Sequence, residues 1–281
     1  MADQEQPSLQ RGTSALVVAQ TIRNQIEAGE LRHGEQLPTT RTLAERWGTS
    51  VATITRAMNL LAEQGLIVNR ARSSRLVNYP PTATGRRSRP TPQVILIGGY
   101  AGSGKTELGR IIARRTGWAM LDKDSTTRTV VEAALESLGI SPHDRESETY
   151  LEVIRPAEYQ ALLTTTRENV ECGTSVVATA PFIRELSDKA WCDRTAAMLH
   201  SLGAALHVVW VRCDASSMNT YLRQRGAARD AYKLAHWDEY LSGIDLAFEP
   251  AITHHVIDNS VGAAPLQQQA AELLTKNGVR L

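Results

Sequence analysis

The chain has 281 residues, 42% of them hydrophobic and 22% charged, with a formal net charge of +1, which is length for two domains of ordinary size and a composition ordinary for a folded soluble protein. No apolar run approaches the roughly 18 residues of a membrane span, MADQEQPSLQRGTS has neither the basic start nor the apolar core of a secretory leader, and Cys172, Cys192 and Cys213 give no closed disulfide set or metal-knuckle spacing. A cytoplasmic protein with small buried thiols is expected, and its charge is uneven: residues 1–90 hold 12 basic residues, all arginine, against 7 acidic, while the remainder is net −4.

In chain order, Ser14 to Ala28 repeats apolar residues at Leu16, Val17, Ala19, Ile22 and Ile26 in three- and four-residue steps, an amphipathic helix closed by Gly29. After the short extended LRHGEQLP, Thr39 or Thr40 can cap a second helix that buries Leu43, Ala44 and Trp47, with Gly48 as its stop. Ser50 caps a third helix, ending at Gly65, with Ile54, Ala57, Leu60 and Leu61 inward and Thr53, Thr55 and Arg56 partly outside. Two short strands follow, Leu66 to Asn69 and Arg75 to Tyr79, joined by the turn Arg70-Ala71-Arg72-Ser73-Ser74. Three helices and a basic hairpin make a winged helix-turn-helix, and an arginine excess suits phosphate contact. A helix-turn-helix used for protein contact is the competing reading; the exposed positions are hydroxyls and arginines rather than apolar anchors, which favours nucleic acid.

LRHGEQLPTTRTLAERWGTSVATITRAMNLLAEQGLI resembles the N-terminal domain of GntR-type transcription regulators over about 65 positions, through Gly34–Leu37–Pro38, Arg41, Leu43-Ala44, the Ser50–Thr53 helix start and Leu61–Gly65–Leu66. The resemblance implies that Arg41 clamps a phosphate of a double-stranded DNA operator. It also implies that Ser50, Thr53, Thr55 and Arg56 meet the groove or its backbone, and that the wing residues Arg70 and Arg72 reach the minor groove. Val51 stands where many members carry arginine, so an arginine-to-guanine contact is in question.

Residues 80–93, PPTATGRRSRPTPQ, lack periodicity and hold four prolines, the signature of a linker between a domain at 10–79 and another at 94–281. Its Arg86, Arg87 and Arg89 suit DNA contact and simple solvation equally well. Val94-Ile95-Leu96-Ile97 then reads as a strand buried on both faces. It runs into Gly99-Tyr100-Ala101-Gly102-Ser103-Gly104-Lys105-Thr106 and the helical pattern Leu108, Ile111, Ile112. Strand, G-x-x-x-x-G-K-[ST] loop and helix come in the order a phosphate-binding P-loop needs: glycines let backbone N–H groups converge on phosphate oxygens, Lys105 neutralises the β/γ phosphates and Thr106 ligates Mg²⁺.

Further buried strands are predicted at Trp118–Leu121, Ser175–Thr179, Leu206–Val211 and His255–Asp258, alternating with helices. This predicts an α/β P-loop fold with a five-stranded parallel sheet, ligands gathering at the carboxyl ends of the strands. There, Asp122-Lys123-Asp124 places two carboxylates on one face if the segment is extended, one to steady Mg²⁺ and one to accept a proton; a solvated acidic turn is the alternative. Arg223, Arg225 and Arg229 around Gly226 suit a lid over phosphates, or an ordinary charged helix surface. The helical stretch 125–173 supplies Arg145, Glu148, Tyr150 and Arg155 to a possible ligand-binding subdomain. His254-His255 point to opposite faces of a strand and do not form a metal pair.

The Walker loop, the Asp-x-Asp and the arginine lid follow the order found in small-molecule P-loop kinases, the group of shikimate, gluconate and adenylate-type kinases and chloramphenicol phosphotransferase, which this domain resembles over roughly 185 residues. The resemblance implies ATP as cofactor held by Gly99, Gly102, Ser103, Gly104, Lys105 and Thr106, with Asn259 near adenine. It further implies Asp124 as base, Asp122 and Thr106 at Mg²⁺, and Arg225 or Arg229 on the phosphates. The third strand, VVATAP, departs by ending without the acidic residue of a Walker B segment. Joined, the modules suggest a transcription regulator sensing ATP and a small hydroxylated ligand, a metabolite kinase regulating its own operon, or a P-loop domain reduced to a dimerisation platform. A homodimer is expected from the half-site logic of the winged helix.

Overall fold

The computed structural model describes residues 14–70, 74–80 and 91–279, apart from the Arg229 side chain. The chain folds as two units, Met1–Arg89 and Pro90–Leu281. Most of the proline-rich segment, with Arg86, Arg87 and Arg89, lies outside the described residues, as does Arg72.

In the first unit, α1 (Ala15–Ala28) starts where Ser14 Oγ accepts from Val17 N, α2 (Thr40–Trp47) where Thr39 Oγ1 accepts from Thr42 N, and α3 (Val51–Glu63) where Ser50 Oγ accepts from Thr53 N. β1 (Ile67–Arg70) and β2 (Ser74–Val77) form an antiparallel hairpin, which Gln36 extends by a single bridge to Leu76. The helices close on a core that includes Val18, Ile22, Ile26, Leu43, Ile54, Met58 and Leu61. The buried face of α1 is turned from the predicted one: Ala15 and Val18 point inward, whereas Leu16 and Val17 are 71% and 53% exposed. Trp47 and Leu60 are half-buried, and Met58 takes the central place in α3.

The second unit is built as β3 (Gln93–Gly98), α4 (Lys105–Thr116), β4 (Ala119–Asp122) and α5 (Lys123–Ser137), then a π-helical turn at Tyr150–Ile154 that leads into α6 (Arg155–Glu171). β5 (Val176–Thr179), α7 (Ile183–Ser187), α8 (Lys189–Ser201), β6 (Ala205–Arg212), α9 (Ala215–Arg225), α10 (Ala231–Ala235), α11 (Trp237–Ser242), β7 (His255–Asp258) and α12 (Leu266–Lys276) complete it. The strands pair in the order β4-β5-β3-β6-β7, all parallel. Alternate residues of the central strands feed two cores: Val94, Leu96, Val176 and Trp210 pack with Leu162, Leu199 and Met218 on one face, while Ile95, Ile97, Val177 and Val209 pack with Leu108, Ile112 and Leu274 on the other. Apolar on both faces, the strands have the continuous hydrophobic runs that helix-covered parallel sheets require.

Asp122 ends β4 and its carboxylate caps α5 through Ser125 N, so Asp122-Lys123-Asp124 straddles a strand-to-helix junction rather than an extended segment. Residues 138–147 form a loop and turns instead of continuing the helix. Cys192 and Cys213 are buried, but Cys172 is exposed. No helix among the described residues is long and apolar enough to cross a membrane.

Candidate functional site

On the first unit the residues singled out for nucleic acid lie at the surface of α2, α3 and the hairpin. Arg41, on the first turn of α2, is almost wholly exposed and lies 3.5 Å from Glu45. Ser50 is committed to capping α3, its Oγ accepting from Thr53 N at 3.1 Å and lying 2.8 Å from Thr53 Oγ1. Thr55 Oγ1 donates to the Val51 carbonyl at 2.8 Å, which turns the hydroxyl's proton back along the helix. Arg56 and Arg70 are exposed. Ser50, Thr53 and Arg56 line one concavity of about 600 Å³ at the start of α3.

The second site grows from the loop between β3 and α4. Gly104 sits at φ 93°, and a Cβ there would lie 2.3 Å from Asn259 Nδ2, so this packing requires glycine. Asn259, the residue after β7, donates from Nδ2 to the Ser103 carbonyl at 3.1 Å and ties the loop to the edge of the sheet. Ser103 Oγ is buried without a hydrogen-bond partner in the protein. Lys105 Nζ donates to the Tyr100 carbonyl at 2.7 Å. Its side chain is partly open to the cavities described below, yet loss of water around the ammonium lowers its pKa to about 8; Asp124 and Asp122 oppose the drop and Arg225 adds to it. An orphaned buried hydroxyl and a desolvated ammonium in a glycine cradle are the groups a polyphosphate would satisfy.

Three elements converge on one carboxylate beside this loop. Thr106 Oγ1, from α4, donates to Asp122 Oδ2 at 2.9 Å, and Thr179 Oγ1, from the end of β5, donates to the same oxygen at 2.7 Å. The close approach of α4 is made possible by Gly109, where a Cβ would meet Thr179 Cγ2 at 2.7 Å and Met120 Cε at 2.8 Å. Thr179 thus occupies the strand end that lacks a Walker B acid, and the carboxylate comes from β4 instead. Lys123, buried, reaches Glu158 Oε1 at 2.7 Å and Asp124 Oδ1 at 3.0 Å. Glu158 also accepts from Thr127 Oγ1 at 2.6 Å and Tyr150 OH at 2.8 Å. Burial, and secondarily Glu158, pushes the Tyr150 phenol well above its ordinary range, so it stays a donor.

Two cavities open here. One, of about 200 Å³, brings Asp122, Asp124, Arg145, Tyr150 and Arg155 together with Lys105, Thr106 and Arg225. The other, of about 470 Å³, is lined by Gly102, Gly104, Tyr221 and Asn259 together with the same Lys105, Thr106 and Arg225. Arg225, the last residue of α9, is held by Asp230, whose Oδ2 accepts from Nε at 2.9 Å and Nη2 at 2.6 Å. Arg223 instead donates to Asn219 Oδ1 on the exposed side of α9. Arg229 falls in the 3₁₀ turn Ala228–Asp230. Gly99 follows the β3 strand, with its N–H donating to the Pro181 carbonyl at 3.1 Å.

Sequence reasoning passes over Lys123, Glu158, Thr179 and Asp230. Lys123 between two acids is the one local signal; the partners of the others lie on different elements. Among the described residues no group of three or more His, Cys, Asp or Glu side chains is placed to hold a metal.

Residues 94–247 match the family model described as AAA domain, and residues 14–77 match that described as bacterial regulatory proteins, gntR family. Among solved structures, a sugar kinase from a Janibacter species is 18% identical over 68% of this chain and 96% of its own, with a TM-score of 0.45. A tunicamycin resistance protein from Deinococcus radiodurans is 21% identical over 68% of this chain and 98% of its own, with a TM-score of 0.42. The GntR-family transcription factor YtrA from Sulfolobus acidocaldarius is 28% identical over 27% of this chain and 80% of its own, with a TM-score of 0.24. No curated protein sequence matches the chain.

Proposed function

Because the chain belongs to the AAA domain family through residues 94–247 and carries a gntR-family DNA-binding domain at 14–77, we propose that it is a transcription regulator whose kinase-like domain binds ATP with Mg²⁺ and a small hydroxylated ligand, and so controls operator binding. The observation that carries this reading is the meeting of two cavities at Lys105, Thr106 and Arg225. A nucleotide in the chamber lined by Gly102, Gly104, Tyr221 and Asn259 would present its terminal phosphate at that shared wall, and a second molecule would fill the chamber lined by Asp124 and Tyr150.

The loop amides and Lys105 would bind the β/γ phosphates, and the Ser103 hydroxyl would gain the partner it lacks. Thr106 and Asp122 would hold Mg²⁺, which when bound neutralises phosphate charge; a site with few protein ligands suits an ion that keeps waters and phosphate oxygens around it. Arg225, steadied by Asp230, or Arg229, four residues on in the chain, would offset charge at the terminal phosphate. Asp124 would orient the hydroxyl of the second ligand and accept its proton, with the Lys123 ammonium 3.0 Å from its Oδ1.

Asp124 lines the same chamber as Lys105 and Asp122, which favours a second reading, a metabolite phosphotransferase that regulates its own operon. On the DNA side, Arg41 would clamp a phosphate, Ser50, Thr53, Thr55 and Arg56 would contact the groove or its backbone, and Arg70 and Arg72 would reach the minor groove, with two copies of the chain on one operator. Calorimetry with ATP-Mg tests the shared premise: uptake by the wild-type chain and loss in Lys105→Ala is expected, and equal uptake by both overturns it. Asp124→Asn separates the readings, since abolished ATP consumption with intact DNA binding identifies catalysis as an output.

A further inference from the structure

The chamber that would take the second ligand is unevenly charged, and its ion pairs show where. Its wall includes six cationic side chains and four carboxylates. Lys123 is matched by Glu158 and Asp124, Arg155 by both oxygens of Glu185 at 2.8 Å, Arg225 by Asp230 at 2.6 Å, and Lys233 by Glu146 at 3.3 Å. Two cations are left without a carboxylate within 4.0 Å among the described residues, Lys105 and Arg145. Lys105 belongs to the phosphate loop. Arg145 stands apart from it, on the loop between α5 and the π-helical turn.

Arg145 is also fixed before any ligand arrives. Its Nη1 donates to the carbonyls of Pro142 at 3.0 Å and Asp144 at 2.5 Å, and the guanidinium lies over the Tyr150 ring, 5.1 Å from its centroid. Tyr150 is in turn held by Glu158. These contacts orient the guanidinium without cancelling its charge, because carbonyls and a ring face are neutral. The carboxylate of Asp144, its neighbour in the chain, accepts from the N–H groups of Glu146 and Ser147 and feels the Arg145 charge without touching the guanidinium. The Lys233–Glu146 pair next to it links α10 to the same loop. A rigid guanidinium with no carboxylate in contact, in a small cavity, is suited to a planar or tetrahedral oxyanion.

We propose that the ligand of this chamber carries an oxyanion, a carboxylate or a phosphate, in addition to its hydroxyl, and that Arg145 binds that group. The proposal rests on the nucleotide-plus-ligand reading above and narrows its second ligand to anionic hydroxylated molecules. The test uses the full chain with the P-loop saturated by the β,γ-imido analogue of ATP and Mg²⁺, so that added anions cannot settle in the phosphate loop. Inorganic phosphate is then titrated calorimetrically, and glycerate is compared with glycerol by thermal shift. Phosphate uptake by the wild-type chain, at least about tenfold weaker in Arg145→Gln and intermediate in Arg145→Lys, is expected, as is stabilisation by glycerate exceeding that by glycerol. Absence of phosphate uptake, equal uptake in Arg145→Gln, or equal effects of glycerate and glycerol overturns the proposal. Affinity for the imido analogue is recorded in every variant; its absence from the wild-type chain would instead overturn the nucleotide reading, and a variant that lost it through misfolding would leave the wild-type glycerate comparison decisive.

Discussion

At Lys105 the chain carries an ammonium in a place that does not favour its charge. Burial lowers its pKa from 10.5 to about 8, so folding works against this group for the sake of a ligand. The cost is about 1–2 kcal/mol after allowing for solvent that reaches the side chain through the cavities. Lys105→Met is therefore expected to raise the urea midpoint of the free protein while weakening ATP-Mg binding by about a hundredfold or more; a destabilised variant would contradict the strain. The pH dependence follows with a definite sign. Below about pH 8 both folded and unfolded chains hold the Lys105 proton and the full cost is present; between about 8 and 10.5 the unfolded chain holds more of it, so this group's contribution to stability improves as pH rises. Nucleotide affinity runs the other way, since the anion prefers the protonated form: it should be highest below pH 8 and fall as pH climbs above it, as calorimetry across that range would show. As candidates, Lys105, Thr106 and Asp122 are marked locally by a loop motif and a strand end, Asp124 by its place just after that strand, and Arg225 by the glycine that ends its helix. Thr179 and Glu158 are not, because their partners Asp122 and Lys123 are brought to them only by the packing of α4, α5 and α6 on the sheet.

At the scale of elements, the junction of α5 with α6 depends on one buried ion pair. Lys123 and Glu158 are nearly solvent-free, and Glu158 has three donors on its two oxygens. Glu158→Gln leaves Lys123 with the partly exposed Asp124 as its one remaining counter-charge and is expected to lower unfolding free energy by up to about 3–5 kcal/mol. Lys123→Met combined with Glu158→Gln should recover part of that loss in urea denaturation. An unaltered midpoint in the single variant would show the pair to be dispensable. All five strands of the parallel sheet are legible within a residue or two of their bounds, since apolar runs covered on both faces are plain in sequence. Two local errors share a cause, the limited resolving power of short patterns. Asp122-Lys123-Asp124 reads as extended, yet Asp122 is a good cap and Ser125 N takes it, starting α5 at once. In α1, Leu16 and Val17 fit the helical repeat as well as Ala15 and Val18 do, and only packing against α3 selects the latter.

For the whole molecule, the two units are separable in sequence because composition changes sharply between them: an arginine-only basic module, a proline-rich stretch, then an acidic remainder. What sequence does not contain is the coupling between them. Coupling is a difference in DNA affinity between nucleotide-bound and nucleotide-free states, and neither a motif nor a strand pattern encodes such a difference. The proposed regulation is thus tested most directly by titrating the full chain onto a fluorescent duplex from the region upstream of its own gene, with and without saturating ATP-Mg at fixed salt. A change in DNA affinity of about fivefold or more, abolished in Lys105→Ala, is expected; superimposable curves from a chain that calorimetry shows to be nucleotide-bound would contradict it.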